Sequence, residues 1–148
     1  MTANNTISVR QFAERDRAAV VQIWNTVFAE DPAWNEPNLV IDTKLKVQPQ
    51  MFFVAELSGE VVGTTLAGFD GFRGWVHHVA VSPEQQHQGV AQQMLATAEH
   101  ALVQMGCRKL NLQVRAKNTA AASFYQGLGF VEEDRRSFGK LLGGDTET

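Results

Sequence analysis

The residues best suited to chemistry lie in one short segment, residues 79–92. It starts with apolar residues typical of a strand, turns at Pro83, and reaches Gly89 where a long helical pattern begins. A helix N-terminus offers unpaired N–H groups and partial positive charge, and a glycine there lets a ligand approach the backbone. The segment therefore predicts either a phosphate-binding turn or an ordinary connection between a strand and a helix.

Two common phosphate-binding signatures are missing from the chain. No G-x-G-x-x-G follows the first predicted strand, and no G-x-x-x-x-G-K-[ST] occurs anywhere. Their absence argues against a Rossmann-type dehydrogenase and against a P-loop nucleotide hydrolase.

The loop resembles a different signature, the [QR]-x-x-G-x-[GA] pattern of the GNAT superfamily of CoA-dependent N-acyltransferases. Gln86, Gly89 and Ala91 fill its three defined positions. Residues 118–130 resemble a second block of the same superfamily, N-x-x-A-x-x-F-Y-x-x-x-G-F, with all six defined positions matched: Asn118, Ala121, Phe124, Tyr125, Gly129 and Phe130. Within the superfamily, the chain is most similar to small, uncharacterised bacterial acetyltransferases.

This resemblance implies that acetyl-CoA lies in a cleft between two neighbouring strands that splay apart. Backbone groups of residues 79–81 would pair with the pantetheine arm, although their side chains can also be ordinary core residues. The amides of residues 87–92 would hold the pyrophosphate. The implied cofactor contacts, with no metal, are Val79, Ala80, Val81, Gln86, His87, Gln88, Gly89, Val90, Ala91, Gln92, Asn118 and Phe124. Many relatives carry arginine or lysine in this loop, so Gln86, His87 and Gln88 predict weaker phosphate binding.

The implied reaction also needs groups that move protons. An alkyl ammonium has a pKa of about 10.4 and must lose a proton before it can attack a thioester. The resemblance assigns the donor for the developing oxyanion to the amide of Val79 and the general acid to Tyr125, the only tyrosine of the chain. It suggests His77 as the base, because arylalkylamine acetyltransferases carry histidine at the matching position.

Two other positions that carry the base in related enzymes are excluded here. Related enzymes carry a glutamate where this chain has Gln113 or Trp75, and neither of these residues can accept a proton. Glu56 and Asp70 stay open as alternatives, and His77 itself could be a hydrogen-bonded structural residue. Strand alternation predicts that His77 and His78 point to opposite faces of the sheet.

Charge is unevenly distributed along the chain. Residues 1–70 carry a net charge of −4 and residues 71–148 a net charge of +1. An acidic cluster in the first half could attract a cationic amine or could simply be solvated surface: Glu30, Asp31, Glu36 and Asp42. The sequence thus favours an N-acetyltransferase that moves the acetyl group of acetyl-CoA to a primary amine by direct attack in a ternary complex. Gln113 and the loop without cations leave a non-catalytic acyl-CoA-binding module as the alternative.

Composition limits the remaining classes. The chain has 148 residues, 44% hydrophobic and 20% charged, which is typical of one globular domain. A single cysteine, Cys107, excludes an intramolecular disulfide. A net charge of −3 argues against a nucleic-acid binder, and the lack of a bilayer-length apolar run or signal peptide predicts a cytoplasmic protein without a membrane anchor. The resemblance also makes a homodimer an open expectation.

Periodicity predicts a mixed α/β sheet with helices on its faces, in the order β-α-α-β-β-β-α-β-α-β-β that the GNAT fold implies. We expect one acetyltransferase domain over residues 1–142 and a disordered polar tail over residues 143–148. The expected strands are 7–10, 51–57, 61–69, 75–81, 109–115, a segment from residue 130, and 135–142. The expected helices follow Asp16, cover 38–47, start at Gly89, and cover 119–126.

Overall fold

The computed structural model describes residues 6–143. The strands are β1 (Ile7–Gln11), β2 (Phe52–Leu57), β3 (Glu60–Phe69), β4 (Gly74–Val81) and β5 (Leu110–Asn111). The helices are α1 (Arg17–Val27), α2 (Pro37–Lys44), α3 (Val90–Gln104) and α4 (Thr119–Gly127). The strands form one sheet in the order β1-β2-β3-β4-β5, antiparallel except for the parallel β4–β5 pair. The mixed sheet flanked by helices that the sequence predicts is therefore confirmed, and the elements follow the predicted order as far as α4.

Two hydrophobic layers cover the two faces of the sheet. Successive residues of a strand point to opposite faces, so Val54 packs under α1 and α2 while the next residue, Ala55, packs under α3. The first layer joins α1 and α2 to the sheet through Val20, Ile23, Trp24, Ile41, Phe52, Val54, Leu66 and Ala80. The second contains Ala55, Val62, Val90 and Met94. Helices on both faces leave the edges of the sheet as the places where a ligand can reach strand backbone.

An ion cluster fastens the start of α1 to the sheet. The guanidinium of Arg10 on β1 donates to both carboxylate oxygens of Asp16, each at 2.8 Å, and also contacts Glu56 on β2. The amide of Ala13 donates to the same Asp16 carboxylate at 2.8 Å. Asp16 is buried, so these bonds offset the cost of removing its charge from water.

The prediction of two C-terminal strands, one from residue 130 and one at 135–142, was wrong, because residues 113–143 form no strand. The strand expected at 109–115 is limited to Leu110–Asn111. A strand is stable only where its backbone pairs with a neighbour and one face is buried. Here Phe138 and Leu142 are 90% and 77% exposed, so their alternating pattern marks no buried face.

Residue contacts divide the chain into two compact units, described residues 6–112 and 113–143. The first contains the whole sheet and the helices α1 to α3, whereas the second contains α4. The expectation of a single domain over residues 1–142 stays a prediction. Of the tail expected at 143–148, only Gly143 lies within the described residues, where it forms a turn.

Candidate active site

Strand β4 contains a bulge at His78 and Val79. Thr64 of β3 pairs with Ala80, and Leu66 pairs with His77, so Thr65 alone lies opposite His78 and Val79. His78 has a φ of +51°, a left-handed conformation that is uncommon for a residue other than glycine. A bulge places an extra residue on one strand and redirects its side chains and peptide groups.

The bulge brings both histidines to the face covered by α1 and α2. His77 lies opposite Leu66, which belongs to the layer under those helices. The His78 ring contacts Trp24 and Phe28 of α1, at centroid distances of 4.6 and 5.1 Å. The expectation that the two histidines occupy opposite faces was therefore wrong, because the left-handed residue breaks the alternation on which it depended.

Both imidazoles are held in the neutral form at pH 7. His77 is exposed at the surface, but desolvation by neighbouring groups lowers its pKa below the usual 6.5, and the charge of Lys44 lowers it further. Burial also lowers the pKa of His78, opposed by the carboxylate of Asp31 and assisted by His77. A neutral imidazole can accept a proton, which is what a base for an ammonium group must do.

The far edge of β4 is open beyond its first two residues. β5 pairs with β4 only at Gly74 and Trp75, and within residues 6–143 no other strand joins that edge. On this edge the backbone from Val76 to Val81 has no strand partner, and this stretch includes the predicted contacts Val79, Ala80 and Val81. Ala80 is buried and the other two are half-buried, so their side chains contribute to the core as well.

The loop after β4 leads directly into the N-terminus of α3. His87 and Gly89 both have positive φ values, +66° and +85°. Gly89 is the N-cap of α3 and supplies no side-chain cap, and a Cβ built on it would meet nothing within 4 Å. The first N–H groups of α3, at Val90, Ala91 and Gln92, have no acceptor within the helix. An exposed loop with uncapped amides and open space above its glycine fits an anionic pyrophosphate.

Two glutamine side chains of this loop donate to backbone carbonyls of the same segment. Gln86 Nε2 donates to the Val81 carbonyl at 3.3 Å, and Gln88 Nε2 donates to the Glu84 carbonyl at 3.4 Å. These bonds shape the loop, so the amides rather than cationic side chains are what it offers to a phosphate.

Close packing fixes the start of α3 against β3. A Cβ on Gly63 would lie 2.9 Å from Cγ1 of Val90, the first residue of the helix, and 2.9 Å from Cε of Met94. The missing side chain at Gly63 therefore allows the helix N-terminus to approach the sheet next to the end of β4, since Gly63 pairs with Val81.

A cavity of about 260 Å³ lies between α1 and the segment leading into α2. Trp24, Phe28 and His78 contribute aromatic walls, and Asp31 and Glu36 contribute carboxylates. A larger groove of about 600 Å³ surrounds the Arg10–Asp16 ion pair and includes neither histidine. The smaller cavity is thus the one adjoining the β4 bulge.

Two residues of the predicted acidic cluster, Asp42 and Glu36, make contacts that stabilise α1 and α2. Asp42 is paired with Arg17 at 2.8 Å and does not line the cavity. Glu36 caps α2 by accepting the Leu39 amide at 2.8 Å. Asp31 and Glu36 are therefore the acidic residues that reach the cavity.

The second unit holds the other predicted residues. Asn118 caps α4 by accepting the Ala121 amide at 3.0 Å. Phe124 is 38% exposed, whereas Tyr125 is half-buried between the rings of Phe124 and Phe130, at 5.1 and 5.7 Å. Burial raises the pKa of Tyr125 above its usual 10, so the phenol keeps its proton at neutral pH and can donate it.

The alternative bases are occupied by structural contacts. Glu56 belongs to the ion cluster of Arg10. Asp70 accepts the amides of Phe72 and Arg73, each at 2.8 Å, which lowers its pKa and closes the turn before β4. Gln113 donates to the hydroxyl of Ser137 at 2.6 Å.

Sequence reasoning did not single out Thr64, Trp24 or Phe28 as residues of the site. Phe28 and Trp24 belong to the apolar stripe of α1, and nothing in that pattern indicates contact with His78. A single buried threonine on a strand has no sequence signature.

Among the described residues, no group of three or more His, Cys, Asp or Glu side chains could hold a metal ion, and no helix is long and apolar enough to cross a membrane.

Comparison with known proteins agrees with this geometry. A model of the acetyltransferase (GNAT) family matches residues 14–130. An acetyltransferase of Pectobacterium atrosepticum is 35% identical over 141 residues, which cover 95% of this chain and 99% of that protein. A similar protein of Yersinia enterocolitica, also called an acetyltransferase, is 35% identical with the same coverage.

Solved structures share the fold. Ard1 from Thermoplasma volcanium has a TM-score of 0.75 at 24% identity, covering 84% of this chain and 82% of that one. The aminoglycoside N-acetyltransferase AAC(6')-Iy, solved with CoA, has a TM-score of 0.77 at 19% identity, covering 95% and 98%. Because the family model spans most of the chain and relatives at 35% identity cover nearly all of it, the chain belongs to the GNAT family and is an acetyltransferase of that type.

Proposed function

We propose that the protein transfers the acetyl group of acetyl-CoA to a primary amine by direct attack in a ternary complex. The observation that carries the proposal is the run of features along β4. Strand β4 has an edge without a strand partner and leads through a loop into an uncapped helix N-terminus. It also carries two adjacent neutral histidines, of which His78 lines an acidic, aromatic-walled cavity.

The open edge and the loop have separate tasks in binding. Backbone groups of residues 79–81 would pair with the amide-rich pantetheine arm as a neighbouring strand does. The amides that follow Gly89 would hold the pyrophosphate, aided by the partial positive charge of the helix end. When bound, acetyl-CoA supplies a thioester carbonyl that an amine can attack.

The cavity supports a cationic acceptor. Asp31 and Glu36 would attract an ammonium group, and the rings of Trp24 and Phe28 would contact its alkyl part or stabilise its charge. A cavity of about 260 Å³ favours a compact amine or one extended side chain. The wall formed by His78 places this cavity next to the bulge of β4.

Proton movement follows from the chemistry of these residues. His77 accepts a proton from the ammonium through water, and the neutral amine nitrogen then forms a bond to the acetyl carbon. The N–H of Val79 donates to the carbonyl oxygen as negative charge develops there. The carbonyl would re-form as CoA leaves, and the resemblance assigns the proton for its sulfur to Tyr125. The second proton that the attacking nitrogen loses would then return to the phenol oxygen of Tyr125.

The proposal is tested first by binding. We expect acetyl-CoA to raise the unfolding temperature, whereas NADH and ATP at equal concentration do not. At about 100 times Kd the ligand stabilises the fold by about 2.7 kcal/mol. Absence of a shift at millimolar acetyl-CoA would contradict the assignment of the loop and edge to this cofactor.

Transfer is tested with a panel of amines that differ in charge and size. A small diamine, a free amino acid, a peptide N-terminus and a lysine-containing peptide are each incubated with acetyl-CoA, and thiol release is measured. We expect cationic amines to be acetylated, with initial-rate plots that intersect as a ternary complex requires. Parallel plots, together with an acetylated form of the enzyme seen by intact mass, would contradict direct attack. Binding of acetyl-CoA without transfer to any amine would instead support the non-catalytic module.

A further inference from the structure

A chain of buried hydrogen bonds connects α1 to the bulge of β4. Trp24 Nε1–H donates to Oγ1 of Thr64 at 2.8 Å, and the Thr64 hydroxyl donates to the carbonyl oxygen of His78 at 2.9 Å. Trp24 is 2% exposed and Thr64 is fully buried. A hydroxyl has one proton to donate, so the indole occupies an acceptor site of Thr64 and the proton is directed to His78.

The direction of the His78 carbonyl decides the direction of the next amide. The peptide bond is planar and trans, and no cis bond occurs in residues 6–143, so a carbonyl and the following N–H point in opposite directions. Thr64 lies on β3 and holds the His78 carbonyl toward that strand. The N–H of Val79 therefore points away from the Thr64 hydroxyl, and the edge of β4 that β5 leaves unpaired beyond Trp75 lies on the side of β4 opposite to β3.

This orientation needs support from its surroundings. His78 has a φ of +51°, which a residue with a Cβ adopts only where neighbouring contacts hold it. Trp24 contributes twice, because its ring also packs against the His78 ring at a centroid distance of 4.6 Å. Without the Thr64 hydroxyl, the peptide between His78 and Val79 loses the contact that selects one orientation.

We propose that Thr64 and Trp24 are positioning residues for acetyl transfer. They hold the His78–Val79 peptide so that the Val79 N–H faces the oxygen on which charge develops. The inference rests on the proposed function for the role of that amide, whereas the orientation itself is a property of the free protein. Thr64 does not touch the reacting atoms, and the effect of Trp24 on this peptide acts through the Thr64 hydroxyl and the His78 ring.

Thr65 provides a matched control for Thr64. Both threonines are fully buried and adjacent on β3. The Thr65 hydroxyl instead donates to the carbonyl of Thr64 at 2.8 Å and lies beside the sulfur of Met94 on the other face of the sheet. Thr64→Val and Thr65→Val therefore remove the same hydroxyl from adjacent, equally buried positions on opposite faces of the sheet, and only the first change releases the His78 carbonyl.

The kinetic experiment compares three variants with the wild type, using the amine that the panel identifies. We expect Thr64→Val to lower kcat about 10- to 100-fold, which is less than the loss of a whole oxyanion donor, with KM for acetyl-CoA unchanged. We expect Thr65→Val to keep kcat, and Thr64→Ser to retain it because the hydroxyl is preserved. Equal loss of kcat in the two valine variants would overturn the inference, because it would mark a packing effect.

NMR of the free protein, without any substrate, separates this inference from the proposed function. The readout is the carbonyl carbon of His78 and the amide nitrogen of Val79, the two resonances of the peptide bond that Thr64 contacts. We expect both to shift in Thr64→Val and to stay near their wild-type positions in Thr65→Val. If Thr64→Val does not fold, Trp24→Phe removes the indole donor while keeping an aromatic ring, and a smaller shift of both resonances is expected. Unchanged resonances in the folded Thr64 or Trp24 variant would refute the positioning role even if the enzyme proves active. Failure of the wild type to acetylate any amine, with the shifts still present, would contradict only the proposed function.

Discussion

Gly89 and Gly106 lie at opposite ends of α3 and allow a controlled test of the cofactor loop. Both have positive φ, +85° and +90°, and a Cβ built on either would meet nothing within 4 Å. Replacement by alanine therefore strains the backbone equally at the two ends without a steric clash. Only Gly89 borders the helix amides that we assign to the pyrophosphate.

The expected loss of stability is similar in both variants. Placing alanine in a left-handed conformation costs roughly 1–2 kcal/mol. For a chain of this length each kcal/mol lowers the unfolding temperature by about 2–4 °C. We therefore expect Gly89→Ala and Gly106→Ala to unfold within a few degrees of one another, both below the wild type.

The expected effects on acetyl-CoA binding differ. A methyl group at Gly89 occupies the open space in which a phosphate would approach the amides, so we expect Kd to rise at least tenfold. At a ligand concentration of about 100 times the wild-type Kd, stabilisation falls from about 2.7 to about 1.4 kcal/mol for a tenfold weaker site. Gly106→Ala should keep the full stabilisation.

Thermal unfolding of the three proteins across a series of acetyl-CoA concentrations measures both effects. The unfolding temperature without ligand reports the strain, and its rise with ligand reports the affinity. If Gly89→Ala and Gly106→Ala gain equal stability from acetyl-CoA, then the N-terminus of α3 does not hold the phosphates and the reasoning is refuted.

Three further predictions concern single side chains. The contacts of Asp16 with Arg10 lower the pKa of this carboxyl below 3.8, so the charged Asp16 stabilises the fold above pH 3.8 and this stabilisation is lost as the pH falls through the lower folded pKa. We therefore expect Asp16→Asn to lower the free energy of unfolding by roughly 1.5–3 kcal/mol at pH 7, measured with denaturant, and by less in strong acid. An equal loss at both pH values would disprove this linkage. His77→Gln should lower kcat/KM and remove the acid limb of the pH profile of kcat/KM. In the wild type this limb should lie below pH 6.5, because desolvation and Lys44 lower the pKa of His77. If the limb disappears in His78→Gln instead, the base is His78. Tyr125→Phe should slow turnover with little change in Kd for acetyl-CoA, and undiminished turnover would remove Tyr125 from the mechanism.

Local patterns were sufficient to predict most of the first unit. The period of apolar residues located α1 and α3, and the turn at Gly59 joined two strands into the β2–β3 hairpin. These elements form because each carries a continuous apolar face that must be buried, and that face is visible in the spacing of residues. The same reasoning failed at residues 130–142, where alternating apolar residues remain exposed and no strand forms. Alternation indicates a possible buried face, but the partner that buries it is supplied by the rest of the fold.

The candidate site divides in the same way. The sequence alone determined the family, the glycine at the start of α3, and the identity of the residues available to move protons, because these depend on residue type and short-range spacing. Only the tertiary structure decided that His77 and His78 share a face, since one left-handed residue opposite Thr65 cancels the alternation of β4. It also decided that Trp24 and Thr64, 40 residues apart, meet in one hydrogen bond beneath the bulge. Such contacts depend on the crossing of a helix over a strand, and no local pattern of the chain contains that information.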